Sequence, residues 1–250
     1  MSDIDLVTTI VVAALSGGAG KIIAAPLEGT ADALRERMKG RVLRTLGKAR
    51  AKSANRPLEP NDRVHAKVLN EAAWTDEEII SDYLGGVLAA TGPSDDAGAA
   101  IVALIGRLSA EQLRLHYVLY REVRRQWPET STNLYEQEKA DRAGVCIPID
   151  EVVSALGSRT TNLASTMFAL SHEDLVGTIW SVVFEADDPR YGVQARPSPL
   201  GAELFLWGHG AQGTVANNLF DNSLDLTFLT DVAPTPGSRL LTPPEPLPAP

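Results

Sequence analysis

Several groups of residues in this sequence have the side chains for chemistry, and their spacing decides against each. Ser16-Gly17-Gly18-Ala19-Gly20-Lys21 has the glycines and lysine of a phosphate-cradling loop. Such a loop needs another glycine five residues before Gly20 and a hydroxyl after Lys21, where Leu15 and Ile22 stand. His65 and His116 would each need a second metal ligand three or four residues further along a helix, and neither has one. Cys146 is the single cysteine, so no internal disulfide forms, and its expected role is a small buried apolar residue. Asp187-Asp188 stands before Pro189 and Gly192 and reads as turn chemistry. His172-Glu173-Asp174 reads as the first turn of a short helix capped by Ser171, its carboxylates facing the amide end of the helix dipole. No nucleophile elbow or dinucleotide fingerprint is present. The sequence therefore predicts no catalytic residue, no metal, no cofactor and no small-molecule substrate.

The elements that would position other functions are surfaces. Leu6 to Gly20 carries no charge but is 15 residues long, short of the roughly 20 that span a bilayer as a helix. Asp3 and Asp5 precede it where a secretory signal carries positive charge. It reads as a buried or partner-packed helix. Val12, Ala13, Gly17, Gly20 and Ala24 keep a second reading open, because small residues at three- and four-residue steps let helices approach closely in a membrane or in a self-assembly. After Pro26, the chain from Glu28 to Ala54 is strongly biased. Between Arg35 and Arg56, the nine basic residues Arg35, Arg37, Lys39, Arg41, Arg44, Lys48, Arg50, Lys52 and Arg56 meet a single acid, Glu36. Leu34, Met38, Val42, Leu46 and Ala49 fall on one stripe, giving a basic amphipathic helix. Such a face serves an anionic membrane surface, nucleic acid or an acidic partner; the alternative is neutralisation by acids near Asp76, Glu77 and Glu78. The net charge of −9 argues against a general polyanion-binding surface.

The middle of the chain reads as helices. Asp62 to Ala73 turns Val64, Val68 and Leu69 inward. Three more follow, over Asp76–Ala90, Asp96–Leu108 and Ala110–Trp127. Thr75 with Glu78, and Ser109 with Gln112, have the form of capping boxes. Gly92-Pro93-Ser94 separates the first two. In the last, Leu113, Tyr117, Tyr120 and Val123 line one side, while Arg114, Arg121, Arg124 and Arg125 line the other as a second basic surface.

These helices carry a resemblance. The Trp74-Thr75-Asp76-Glu77-Glu78 start, the Tyr83-Leu84-Gly85-Gly86-Val87-Leu88-Ala89-Ala90 end and the Arg107-Leu108-Ser109-Ala110-Glu111-Gln112 turn together resemble the Abi-alpha family of bacterial abortive-infection proteins. The resemblance covers roughly Leu27 to Gly210. Asp82-Tyr83-Leu84 departs from it, since the family has an aromatic Trp-Ala there, and Tyr fills a similar apolar slot. It implies a basic helical N-terminal part, a helical core and a small winged-helix-like C-terminal part, in a cytoplasmic antiviral protein; membrane association on activation belongs to the second reading of the small-residue stripe, not to the resemblance.

Beyond Pro128, Glu129 to Asn133 is a polar joint and Leu134 to Arg142 a short helix. Cys146 to Ile149 is strand-like, and Asp150–Leu156, Thr161–Ala169 and Glu173–Val176 read as helices. Thr178–Ala186 and Val193–Arg196 read as strands flanking a turn, and Pro199 opens a last helix. That order is the one of a winged helix. From Asp141 to Gly210, however, four basic residues face nine acids, a net of −5, which repels phosphates. Leu224 to Leu229 suggests a lone edge strand. The prolines from Pro234 onward exclude regular helix and central sheet, with Leu240 and Leu241 as the means of pinning the tail.

The expected fold is mainly α, with a helical N-terminal bundle, a small winged-helix-like α+β unit and an extended Pro-rich tail. The expected divisions are residues 1–57, 58–130, 131–212 and 213–250. The expected function is non-enzymatic and antiviral, through contacts of the N-terminal helices with a protein partner, with further copies of the chain, or with an anionic membrane surface. The alternatives are a nucleic-acid-binding regulator using residues 35–56 and a structural partner in an operon-encoded complex.

Overall fold

The computed structural model describes residues 28–53, 56–59, 61–127, 132–157, 162–211, 215–224, 226 and 232–241. The glycine-rich segment 16–21 and the small-residue stripe Val12, Ala13, Gly17, Gly20 and Ala24 lie outside the described residues, as do most of the strand expected over 224–229 and the tail beyond Leu241. The protein is mainly helical, with a small four-stranded antiparallel sheet in its C-terminal half. The chain groups into two units, residues 1–108 with 207–213, and 109–206 with 214–250.

The first unit is helical. It contains α1 (Glu28–Lys52), α2 (Asp62–Trp74), α3 (Glu78–Ala90) and α4 (Gly98–Ile105). Its core joins Met38, Val42 and Ala49 of α1 to Val64, Val68 and Leu69 of α2, to Tyr83, Leu84, Val87 and Leu88 of α3, and to Val102 and Ile105 of α4. The centre is α3, buried from Ser81 to Ala90. The Gly85-Gly86 pair makes that position attainable. A Cβ on Gly85 would lie 2.7 Å from Lys48 Cβ and 3.0 Å from both the Ala49 nitrogen and the Thr45 oxygen, and one on Gly86 would strike the Gly208 carbonyl. Only a residue without a side chain lets these backbones meet.

Asn61 caps α2 by accepting from the Arg63 amide at 2.9 Å. The expected Thr75–Glu78 capping box does not form. Helix α3 starts at Glu78 after Glu77, without a side-chain cap, and Thr75 Oγ1 accepts from the Glu77 amide at 3.1 Å. Asp76, placed by sequence inside the helix, lies before it and pairs with Arg41. A guanidinium from another helix outweighs local capping here.

The second unit is built on α5 (Ala110–Gln126), so this helix groups with the C-terminal part and not with the helices before it. Leu115, Val118, Leu119 and Glu122 are buried as well as the expected Leu113, Tyr117, Tyr120 and Val123. Ser109 and Gln112 form the expected capping box, at 2.7 and 3.2 Å.

Then come α6 (Gln137–Arg142), β1 (Val145–Ile147), α7 (Ile149–Leu156), α8 (Leu163–His172), β2 (Ser181–Val183), β3 (Gly192–Ala195), α9 (Pro199–Gly208), a 3-10 turn over Ala216–Phe220 and β4 (Arg239–Leu240). The sheet order is β2-β3-β1-β4. Val182 and Ile147 both stand opposite Val193, which puts them on one face of the sheet, the face that buries Val193 and Ile147. Gly157 ends α7 in the left-handed conformation, φ 70°. The short helix expected over 173–176 is absent: α8 runs on through Ser171, and Asp174 at φ 55° stops it while the Leu175 amide reaches back to the Leu170 carbonyl at 2.8 Å. That is a Schellman-type terminator with Asp in the usual glycine position. β4 pairs with β1 at the sheet edge, and the Leu241 amide bonds Gly144 O at 2.8 Å, so the tail is pinned where Leu240 and Leu241 suggested.

Candidate interaction surfaces

The basic face of α1 divides along its length. Arg41 makes a two-pronged pair with the Asp76 carboxylate and reaches Ala73 O at 3.1 Å. Arg44 bonds Asp76 O at 3.0 Å and lies 3.8 Å from the Glu78 carboxylate. Lys48 bridges Glu78 at 2.5 Å and Asp82 at 3.1 Å. Lys52 lies 3.4 Å from the Asp82 carboxylate and donates to the carbonyls of Asp82 at 2.6 Å and Gly208 at 2.7 Å. These four cations are taken up by the start of α3, which is the neutralisation that the acids near Asp76 and Glu78 allowed. Burial pulls the Lys52 ammonium down to about 8 against the opposing pull of Asp82. The Arg41 hydrogen bond holds Asp76 below the usual carboxylate range.

The N-terminal half of α1 is different. Residues 32 to 37 are all exposed, including Leu34. Arg35 pairs with Asp32 at 2.7 Å and Lys39 lies 3.9 Å from Glu36, both within the helix. Such exposed pairs are worth little and do not tie the helix to the rest of the unit. Arg37 is exposed, as is Arg50 further along. Of the eight expected interaction residues, the structure turns Arg41, Arg44, Lys48 and Lys52 onto α3 and leaves Arg35, Arg37 and Arg50 at the surface, with Lys39 half-buried.

The second basic surface, on α5, is largely consumed. Arg121 donates to Val232 O at 3.3 Å, Ala233 O at 3.0 Å and Thr235 Oγ1 at 3.1 Å. Arg125 reaches Thr235 O at 3.3 Å and Ser238 Oγ at 2.6 Å, and Gln126 takes Ser238 O at 2.6 Å. Between them Glu122 is buried, paired with Arg121 at 2.9 Å and Arg125 at 2.6 Å, and accepts from Ser238 Oγ at 2.6 Å. Burial alone would raise its pKa, but the bonds from Ser238, Thr235 and Arg125 hold it below the ordinary value. Glu151 accepts the Gly237 amide at 2.8 Å. The side chains that read as a basic face are a clamp on the segment 232–238. Sequence inspection missed this, and its one trace is Glu122 set among the arginines.

The groups with reactive side chains are placed structurally. His116 is fully buried, its Nε2 3.0 Å from Gly201 O, and burial pulls its pKa down to about 3. Tyr120 OH donates to Leu175 O at 2.9 Å and accepts from the Ser198 amide at 2.8 Å, and burial pushes it up to about 12. Ser198 Oγ donates to Asp174 O at 2.5 Å and caps α9 by accepting from the Gly201 amide at 3.1 Å. Neither ring exchanges protons near neutral pH in this state, so the cluster fastens α9 to α5. Cys146 is buried, with Sγ 3.5 Å from Tyr191 O, and burial raises its pKa. Asp188 takes the Arg190 guanidinium at 3.0 and 2.7 Å and is held down to about 2. His65 is half-buried on α2. Among the described residues no group of three His, Cys, Asp or Glu is placed to hold a metal, and no helix is long and apolar enough to cross a membrane.

No family model, no curated protein and no solved structure matches the chain.

Proposed function

We propose that the chain is a cytoplasmic, non-enzymatic antiviral protein of the Abi-alpha kind, acting through contacts of its N-terminal helices with another macromolecule. The observation that carries this reading is the division of α1. Its C-terminal half spends its cations on Asp76, Glu78 and Asp82, while residues 32–37, which follow the uncharged segment Leu6–Gly20 after an intervening stretch, are exposed. An exposed helical stretch that sets Leu34, Arg35 and Arg37 beside Asp32 and Glu36, and follows an apolar segment in sequence, suits a protein partner, further copies of itself or an anionic membrane surface.

The second unit is read more finely as a winged helix used for protein contacts. In support, α7 and α8 lie between β1 and β2 in sequence, and the sheet begins β2-β3-β1, with 184–191 as the wing. The helix in the recognition position, α8, has no Lys or Arg, and Phe168 on it is 65% exposed. Phosphate contacts need cations, and this surface offers an aromatic ring.

Deleting Met1 to Ala25 is expected to abolish phage protection or toxicity while the circular dichroism and melting of the remainder stay close to those of the full chain. Full protection by the truncated protein rejects the reading. The regulator alternative predicts duplex binding that weakens steeply with salt, roughly 0.9 log units of affinity per log unit of salt for each phosphate neutralised. With Arg41, Arg44, Lys48 and Lys52 already paired, titration of the full chain with duplex DNA at two salt concentrations is expected to show no such slope.

A further inference from the structure

The small sheet of the second unit ends in β4 on one side and β2 on the other, and the chain guards these edges differently. The β4 edge carries the exposed Arg239 and runs in sequence into Thr242-Pro243-Pro244. Charge and proline are devices that keep an edge strand from pairing with another chain. The β2 edge has neither. Thr178-Ile179-Trp180-Ser181-Val182-Val183-Phe184 holds no charge and no proline, and its β-branched and aromatic residues favour an extended chain. Ser181, Val182 and Val183 are each half-buried at most, and Ile179 and Phe184 are 58% and 59% exposed. Among the described residues, the main chain of 178–184 makes no backbone–backbone bond beyond those with β3.

This strand is complementary to itself. Val182 stands opposite Val193 on the inner face of the sheet, and by alternation Trp180 and Phe184 fall on the same face. Two copies of β2 paired antiparallel about a two-fold axis at Val182 set Val182 against Val182. They also set Trp180 of each copy against Phe184 of the other. Aromatic and β-branched cross-strand pairs are among those that stabilise a sheet. Moving the axis to Ser181 or Val183 breaks both aromatic pairs. On the outer face, Ile179 comes opposite the exposed Glu185. The Ile179 carbonyl takes the Arg196 guanidinium at 3.5 Å, so the acidic end of one strand meets a cation at the start of the other. Arg196 also lies 3.5 Å from Asp141, and Glu185 sits in the field of Arg190. That contact therefore selects the register and adds little strength.

We propose that β2 is a self-association edge, on which two copies of the chain pair their β2 strands antiparallel about Val182 and join two four-stranded sheets into one. The contact is isologous, so it closes as a dimer and does not propagate. It uses the second unit alone and does not rest on the antiviral reading.

The test is sedimentation velocity of the full chain across the micromolar range, with Phe184→Asp, Ile179→Glu and the double variant Ile179→Glu with Glu185→Lys. All three positions are exposed, and circular dichroism and melting check that the variants keep the native fold. A monomer–dimer equilibrium is expected for the native chain. Phe184→Asp removes both aromatic pairs and should raise the dissociation constant about tenfold or more. Ile179→Glu sets two like charges against Glu185 and should raise it about threefold or more, and the double variant turns both pairs attractive and should recover most of that loss. Residues 179 and 185 are about 20 Å apart along one strand, so the recovery has to come from the second copy. Amide exchange over 178–185 should slow as the native chain is concentrated, a reading that needs no variant. A chain that stays monomeric throughout, or exchange there that ignores concentration, overturns the proposal. So does a dimer of native strength in a folded Phe184→Asp, or one weakened by Ile179→Glu without recovery in the double variant.

Discussion

His116 and Tyr120 lie one helical turn apart on α5, and burial moves their proton affinities in opposite directions, the imidazole down to about 3 and the phenol up to about 12. Burial disfavours whichever form is charged, so both stay neutral in the folded chain. For His116 this has a measurable sign. The unfolded chain takes up the proton near 6.5, the folded chain near 3, so between those values the unfolded state binds more protons. Stability is full above about 6.5 and falls as pH drops below it, by up to about 1.4 kcal/mol per pH unit. Urea denaturation at pH 7 and pH 5 should show this loss. His116→Gln, which keeps a donor for Gly201 O, should flatten the part due to the imidazole; an unchanged slope in the variant would show that other groups carry it. Sequence alone indicated that His116 was no metal ligand, because no partner stood at helical spacing. It did not show that the ring is bonded to Gly201, 85 residues away, because tertiary hydrogen bonds leave no periodic trace.

At the scale of elements, the close pairing of α1 with α3 rests on Gly85 and on the acids of α3. Gly85→Ala would force a methyl group against Lys48 Cβ and the backbone at Thr45 and Ala49, and overpacking of this kind costs about 1–3 kcal/mol. Gly47 is the control within the same pair of helices. Nothing lies within 4 Å of a Cβ built there, so Gly47→Ala should stabilise by up to about 1 kcal/mol through helix propensity. Chemical denaturation of the two variants checks both, and equal effects would mean that helix propensity, not close approach, sets the cost. Most helices were legible because their apolar stripes and the Ser109–Gln112 cap are local signals. The start of α3 was not, because Arg41 from another helix holds Asp76 outside it. The same limit applied to α8: Asp174 in a left-handed conformation moved the helix end past Ser171, and propensity does not foresee an aspartate at φ 55°. The three-stranded part of the sheet was legible as alternating segments, and β4 only as a leucine pair able to pin the tail.

At the scale of the whole molecule, neither unit is a continuous stretch of chain. The first unit takes in residues 207–213 and the second resumes at 214. A cut between Leu108 and Ser109 therefore removes structure from the helical unit. It deprives Lys52 of the Gly208 carbonyl at 2.7 Å and uncovers the Tyr83 ring, against which Gly208 packs. The fragment 1–108 is expected to melt below the full chain and with a broader transition; an equally sharp and equally high transition would mean that 207–213 contributes nothing. In the sequence the polar joint near 130 suggests a boundary because composition changes there. The grouping of α5 with the C-terminal part follows burial around that helix, which composition does not report. The strand β4 carries a consequence for biosynthesis. Glu122, Arg121 and Arg125 wait for residues 232–238, and the β1 edge waits for Arg239 and Leu240. Until those residues have left the ribosome, a carboxylate meant for the interior and an open sheet margin face solvent, so the second unit closes only once they are made and the nascent chain is at its most vulnerable just before.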